Sequence, residues 1–175
     1  MDYLDFINKK QNPMKNIGFL PCEPHPMLFQ FQSDLVKWAI KKGKSALWAG
    51  TGLGKTFMQI SWADQVAKYT EKPVLILAPL AVSSQTIIEA KKIDIEVSKV
   101  GSGDIQITNY EQIHNISPND YTGIVLDESG ILKNFAGKLK SKIIESFQKT
   151  PYKLCCSATP SPNDFTEIGN HADRS

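Results

Sequence analysis

Eight residues, Ala49-Gly50-Thr51-Gly52-Leu53-Gly54-Lys55-Thr56, constrain this chain more than any other stretch. Before them, Ser45-Ala46-Leu47-Trp48 is a short apolar run that reads as a buried strand. After them, Phe57-Met58-Gln59-Ile60-Ser61-Trp62-Ala63, with Val66, Ala67 and Tyr69, reads as a helix. Strand, glycine-rich turn and helix, in that order, form the context of a phosphate-binding loop. The glycines let backbone N–H groups turn inward around phosphate oxygens, and the helix N-terminus adds its positive end. Gly50, Thr51, Gly52, Leu53 and Gly54 form the expected cradle. Lys55 is placed to neutralise the β- and γ-phosphates, and the Thr56 hydroxyl to ligate Mg2+. The usual pattern starts with Gly; this one starts with Ala49.

The rest of the chain alternates strand-like and helix-like segments around that loop. Residues 1–27 read as an extension, with a short helix near Tyr3–Ile7 and then a loop broken by Pro13, Pro21, Pro24 and Pro26. Leu28-Phe29-Gln30-Phe31-Gln32 opens an amphipathic helix through Leu35, Val36, Trp38 and Ile40, which Lys41-Lys42-Gly43 ends. Val74-Leu75-Ile76-Leu77 is a continuous apolar strand stopped by Ala78-Pro79, and Ser83 or Ser84 is expected to cap the helix that follows. Ile93–Val100 and Ile105-Gln106-Ile107 read as short strands. Residues 121–126 lead through Ile124-Val125-Leu126 to Asp127-Glu128, a helix spans Ala136–Phe147, and Tyr152–Cys156 is a last strand ending at Ser157-Ala158-Thr159. Strands apolar on both faces, alternating with helices, specify an α/β domain with a mostly parallel sheet and helices on both faces.

That fold predicts where a site must lie. The phosphate loop, Ala78-Pro79, Asp127-Glu128 and Ser157-Ala158-Thr159 all follow C-terminal strand ends, the edge at which open α/β sheets bind ligands. A strand delivering two adjacent carboxylates beside a phosphate loop suits phosphoryl-transfer chemistry. Asp127 is placed to hold Mg2+, mostly through water, and Glu128 to orient and polarise the attacking water. Ser157 and Thr159 set hydroxyls where they could bond those carboxylates, or instead cap a following helix. The Gln32 amide, which donates and accepts at once, matches the exocyclic amine and ring nitrogen of adenine. An exposed Gln early in a helix explains it equally well.

Composition limits the partners. The formal net charge is only +2, and nineteen of the twenty cationic residues are Lys, with Arg174 the sole Arg. Arg is the usual reader of guanine edges, so sequence-specific DNA recognition is not expected, while Lys contacts to phosphate remain open. No apolar run approaches the roughly 20 residues that span a bilayer. Cys22, Cys155 and Cys156 form no metal spacing and read as reduced thiols of a cytosolic protein. His25, His114 and His171 are scattered. Lys138, Lys140 and Lys142 read as the solvated side of a helix, and Trp38, Trp48 and Trp62 as core.

Taken in order, these motifs resemble the first RecA-like domain of superfamily 2 helicases and translocases, nearest the Swi/Snf-type branch. Leu28–Gln32 resembles the adenine-reading Gln motif, with Gln32 as the Gln, and residues 49–56 resemble motif I in its Gly-Leu-Gly-Lys-Thr form. Leu77-Ala78-Pro79-Leu80 is similar to motif Ia, and Ile107-Thr108-Asn109-Tyr110-Glu111 to motif Ib. Asp127-Glu128-Ser129-Gly130 with Lys133-Asn134 is similar to motif II, and Ser157-Ala158-Thr159-Pro160 with Asn163 to motif III. Thr166–Ala172 resembles phage-encoded members.

The resemblance implies a RecA-like domain over residues 28–175 that binds ATP and Mg2+ as one half of a nucleic-acid-dependent ATPase, a DNA helicase or double-stranded DNA translocase. It implies catalytic roles for Lys55, Asp127 and Glu128, metal ligation by Thr56 and Asp127, and coupling through Ser157, Ala158 and Thr159. Nucleic-acid contacts fall to Pro79, Thr108 and Tyr110, with DNA preferred to RNA and no sequence specificity. The alternative is a nucleotide-binding or interaction module without efficient hydrolysis of its own. A cytoplasmic location is implied, the host's if the protein is phage-encoded. Two departures stand out. Gly130 lies where helicases usually carry His or Asp, and the arginine-finger-bearing second RecA-like domain is absent from these residues and expected in cis or in trans.

Overall fold

A computed structural model describes residues 16–128 and 137–158. Its centre is a six-stranded, wholly parallel sheet in the order β1-β6-β5-β2-β4-β3. The strands are β1 (Lys44–Trp48), β2 (Val74–Ala78), β3 (Ser98–Lys99), β4 (Ile105–Asn109), β5 (Gly123–Leu126) and β6 (Tyr152–Ser157). Between them run α1 (Gln30–Lys42), α2 (Lys55–Thr70), α3 (Leu80–Lys92) and α4 (Gly137–Ser146), with two 3-10 turns at Tyr110–Asn115 and Pro118–Asp120.

The period-two side-chain alternation of a strand shows why the central strands are apolar throughout. On β2, Val74, Ile76 and Ala78 belong to one core cluster with α1, α2 and α3, whereas Leu75 and Leu77 belong to a second with Tyr110, Ile113, Ile143 and Phe147. On β5, Val125 faces the first core and Ile124 and Leu126 the second; on β6, Leu154 and Cys156 oppose Cys155. Each fully buried Val, Leu or Ile contributes about 1.5–3 kcal/mol, so a strand buried on both faces stabilises the fold twice over. Helix α2 packs against α1, α3 and the sheet, and Met58, Ile60, Trp62, Ala63 and Val66 on it are fully buried.

Several sequence expectations need correction. Helix α1 starts at Gln30, not Leu28; Leu28 is buried just outside it and Phe29 takes the extended cap conformation. Neither Ser83 nor Ser84 caps α3. That helix starts at Leu80 with Pro79 as its N-cap, and the Ser83 hydroxyl, one turn inside, donates back to the Pro79 carbonyl at 3.4 Å. Proline has no side-chain oxygen to offer the first helical N–H groups, so the extended backbone of Pro79 (φ −55°, ψ 144°) sets the helix start without a side-chain cap. Of the strand expected over Ile93–Val100, only Ser98–Lys99 pairs, because Ile93 and Val97 turn into the first core instead of extending. Trp62 is core, but Trp38 and Trp48 are 43% and 47% exposed, lining a shallow groove with Phe31 beside β1, the edge strand of the described sheet.

Residues 16–27 form no helix or strand, yet they pack on α2 and α1: Phe19 stacks on Tyr69 of α2 with ring centroids 3.9 Å apart, the Cys22 N–H donates to Gln65 of α2 at 2.8 Å, and Glu23 pairs with Lys37 of α1. Gly18 makes this possible, since a Cβ there would lie 1.8 Å from the Ile40 carbonyl oxygen at the end of α1. Cys155 and Cys156 are buried free thiols and Cys22 an exposed one. Lys142 is exposed on α4. Residues 1–15, with the expected helix near Tyr3, lie outside the described residues, as do Ser129–Ala136 and Thr159–Ser175.

Helix α2 ends on Glu71, a non-glycine residue at φ 53°. The left-handed conformation costs an ordinary residue about 1–2 kcal/mol and costs Gly almost nothing, while Gly loses more backbone freedom on folding. Glu71 is exposed, so its side chain offers little in return. Glu71→Gly is therefore expected to raise stability by about 0.5–1 kcal/mol, read as a higher urea midpoint of the nucleotide-free protein.

Candidate functional site

All strands run the same way, so every C-terminal strand end lies on one edge of the sheet, and their order decides what meets there. Strand β6 lies between β1 and β5, with Trp48 in register with Ser157 and Leu126 with Cys155. The phosphate loop after β1, Ser157-Ala158 at the end of β6, and Asp127-Glu128 after β5 are thereby neighbours. Pro79 after β2 and Thr108 at the end of β4, both half-buried, continue the same edge.

The loop ends at Gly54, the N-cap of α2, at φ 72°. No side chain caps the helix there, and its first turn has no acidic residue, so unsatisfied N–H groups and the positive end of a sixteen-residue helix face outward. Gly54 is required on two counts. Its φ lies in the left-handed region, and a Cβ would sit 2.3 Å from Gln32 Nε2. Gly52, at φ 80°, has open space around it. The Lys55 ammonium folds back on the loop, donating to the Ala49 and Gly50 carbonyls at 3.0 and 3.2 Å.

Gln32 is 4% exposed and spans α1 and the loop: Nε2 donates to the Leu53 carbonyl at 2.9 Å, and Oε1 accepts from the Phe29 N–H at 2.9 Å. The residue expected to face adenine is thus also a strut beneath the phosphate loop. Its amide retains a second hydrogen and a second lone pair beyond these two bonds.

On β5, the Asp127 N–H donates to the Leu77 carbonyl at 2.8 Å, extending the β2–β5 ladder to the carboxylate itself. Asp127 is 6% exposed. Its Oδ1 accepts from Gln59 Nε2 at 2.6 Å and from the Glu128 N–H at 3.1 Å. Burial raises its pKa from the ordinary value near 3.8; the Gln59 bond opposes that, the Glu128 charge adds to it, and the Lys55 charge lowers it slightly. Glu128 holds φ 49°, in the left-handed region, as do Glu71 and Asp94 elsewhere in the chain. Its Oε1 accepts from the Ala158 N–H at 3.4 Å. Among the described residues, the end of β6 thus reaches Glu128 through the backbone of Ala158; Ser157 is fully buried, and Thr159, whose hydroxyl was also expected here, lies outside the described residues.

Tyr110 departs from expectation. Proposed from the sequence as a nucleic-acid contact, it is 2% exposed, and its hydroxyl donates to the Asp127 carbonyl at 2.6 Å. Its side chain is part of the support beneath the carboxylate. An aromatic ring over the second core gains more by burial there than by facing solvent.

Two supporting groups escaped the sequence reading. Gln59 stands one turn after Lys55 on α2, and the i, i+4 spacing from Lys55 was the available signal. Cys156 is fully buried on β6, and burial first, then the Asp127 charge, pushes its thiol pKa well up, so it stays a neutral thiol.

The donor set suits magnesium. Hard oxygens such as those of Thr56 and Asp127 would suit Mg2+, which accepts a partial protein shell when nucleotide phosphates complete it. Among the described residues no group of three or more His, Cys, Asp or Glu forms a protein cage. The buried Gln59 Oε1 has no hydrogen-bond partner there, an unmet acceptor beside the carboxylate worth about 1–3 kcal/mol of cost.

No family model and no curated protein matches the chain by sequence. Solved structures do match. The SWI2/SNF2 ATPase core of Sulfolobus solfataricus, in complex with dsDNA, has TM-score 0.65 and 22% identity, over 89% of this chain and 36% of that one. The UvsW helicase of bacteriophage T4 has TM-score 0.64 and 17% identity, over 97% of this chain and 64% of that one. The Hef helicase domain of Pyrococcus furiosus has TM-score 0.64 and 18% identity, over 82% and 35%. The chain thus spans between about a third and two thirds of these proteins. It has the α/β RecA-like fold of helicase and ATPase cores.

The raised pKa of Asp127 has a consequence for stability. An acid whose folded pKa exceeds its unfolded one binds protons more tightly when folded, so stability falls as pH rises from the ordinary carboxylate range through the raised value. Asp127→Asn keeps an acceptor for Gln59 and removes the buried charge. Above that window, the nucleotide-free variant is expected to melt higher than wild type, and the gap should close in acid. Calorimetric scans across pH, without metal or nucleotide, read this directly.

Proposed function

We propose that this RecA-like domain is the MgATP-binding half of a nucleic-acid-dependent ATPase of the helicase or double-stranded DNA translocase type. The supporting observation is the uncapped N-terminus of α2 with Lys55 folded over the loop carbonyls, across β6 from Asp127 and Glu128. On this reading, arriving phosphate oxygens replace the Ala49 and Gly50 carbonyls as partners of Lys55 and accept from backbone N–H groups of the loop and the uncapped first turn of α2. Thr56 and Asp127 hold Mg2+, which when bound screens the phosphate charge and polarises the γ-phosphoryl group. Glu128 orients the attacking water, and Ala158 fixes Glu128. The second hydrogen and lone pair of Gln32 give ATP its preference over GTP. Pro79 and Thr108 contact nucleic-acid phosphates without regard to sequence, DNA in preference to RNA. A second RecA-like domain, in cis or in trans, supplies the arginine.

Two solved neighbours favour nucleic acid as the partner: the Sulfolobus core was solved with dsDNA, and MrfA, at TM-score 0.58 and 20% identity, with DNA and AMPPNP. No helix among the described residues is long and apolar enough to cross a membrane. A cytoplasmic location fits this proposal.

Lys55→Ala tests the nucleotide site, because among the described residues the side chain bonds only loop carbonyls and lies outside both cores. ATP affinity by titration calorimetry is expected to fall at least tenfold, with an unchanged nucleotide-free melting midpoint. Equal affinity would sink the assignment.

Turnover separates the ATPase from a module that only binds nucleotide. An arginine finger contributes about 10³–10⁵ in rate, and Lys55, Thr56, Asp127 and Glu128 provide binding and water positioning without it. These 175 residues alone are expected to release phosphate barely above background, with or without double-stranded DNA. Adding the second domain should restore DNA-stimulated turnover that Glu128→Gln abolishes. A completed enzyme indifferent to DNA would favour the binding module.

A further inference from the structure

Gln59 is a costly residue to keep where it is. It is fully buried on α2, one turn beyond Lys55, and its Oε1 has no hydrogen-bond partner among the described residues. An apolar side chain of equal length would fill the space without that unmet acceptor. What Gln59 does make is a 2.6 Å bond from Nε2 to Asp127 Oδ1. Together with the Glu128 N–H, it places both described donors on one carboxylate oxygen, leaving Oδ2 without a donor among the described residues. The bond also ties the helix that starts at the phosphate loop to the strand that ends in the carboxylate, 68 residues away in sequence.

We propose that Gln59 is a positioning residue for metal binding: by occupying Oδ1 it fixes the plane of the Asp127 carboxylate and reserves Oδ2 for the hydration shell of a divalent cation brought in with ATP. The proposal rests on the reading of Asp127 as the metal-side carboxylate. Lys55 and Gln59 then divide one face of α2 between the phosphates and the group that holds their cation. A shift of the helix at the loop is felt directly at the metal site.

The test uses Mn2+, whose binding is read by its paramagnetic resonance, and the full chain with and without ATP. Gln59→Met removes the amide at nearly constant volume. In the presence of ATP it is expected to weaken Mn2+ binding by about 10–100-fold, as loss of an orienting partner does at other metal sites. ATP binding in EDTA should match wild type, which a purely structural role would not allow, and the nucleotide-free melting midpoint should not fall. Combined with Asp127→Asn, the substitution should add nothing further, since the group it orients is gone. If Gln59→Met does not fold, Gln59→Asn, which keeps the amide but draws it back by one methylene, must show the same selective loss. Wild-type Mn2+ affinity in the variant, or an equal loss of ATP binding in EDTA, overturns the proposal. If Asp127→Asn alone leaves Mn2+ affinity unchanged, the metal reading of Asp127 falls and the proposal with it. That outcome involves no Gln59 variant, so the two failures are distinguishable.

Discussion

A parallel sheet must be covered on both faces, and the arrangement of this molecule follows from that constraint. Each parallel connection has to cross from one end of the sheet to the other, so helices accumulate on the faces and all C-terminal strand ends gather on one edge. The two cores, fed alternately by Val74, Ile76 and Ala78 and by Leu75 and Leu77, hold the sheet in that form. The chemistry-bearing residues sit where the strands stop, on short turns anchored to fully buried backbone. Rigid delivery of Asp127 comes from the ladder bond between its N–H and the Leu77 carbonyl.

Around that edge the polar groups form one connected structure. Gln32 ties α1 to Leu53 of the loop, Gly54 starts α2, Gln59 ties α2 to Asp127, Tyr110 holds the Asp127 carbonyl, and Ala158 holds Glu128. Most of these bonds join residues far apart in sequence and draw on β4, β5, β6, α1 and α2. A displacement of the loop by nucleotide therefore acts on Gln32 and Gln59 at once. Electrostatically the site is poised between opposing demands: burial disfavours the Asp127 charge, while Lys55 and the Gln59 amide favour it. A cation would tip that balance towards the ionised form.

Local pattern made much of this legible. The phosphate loop declared itself by spacing, the buried strands by unbroken apolar runs, and the α/β class by their alternation with helices. The misreadings share a cause, since each concerned which face or end of an element a residue occupies. Ser83 lost the cap to Pro79 because the chain turned into α3 one helical turn earlier. Trp38 and Trp48 looked like core because they are large and apolar, but they lie beside an edge strand. Tyr110 looked like a surface contact because its motif follows a strand, but the 3-10 turn folds its ring under Asp127.

By itself, then, the sequence determined the class of fold, the glycine-rich loop between β1 and α2 and the strand-end position of the carboxylate pair, because glycine spacing, hydrophobic period and strand-end residues act over a few neighbouring positions. The tertiary structure alone decided that β6 separates the loop from the carboxylates, that the backbone N–H of Ala158 meets Glu128, and that Gln59 and Tyr110 support Asp127. Hydrogen bonds between residues 17 to 68 positions apart leave no periodic trace. They come into being only when the order of strands in the sheet brings the partners within about 3 Å of each other.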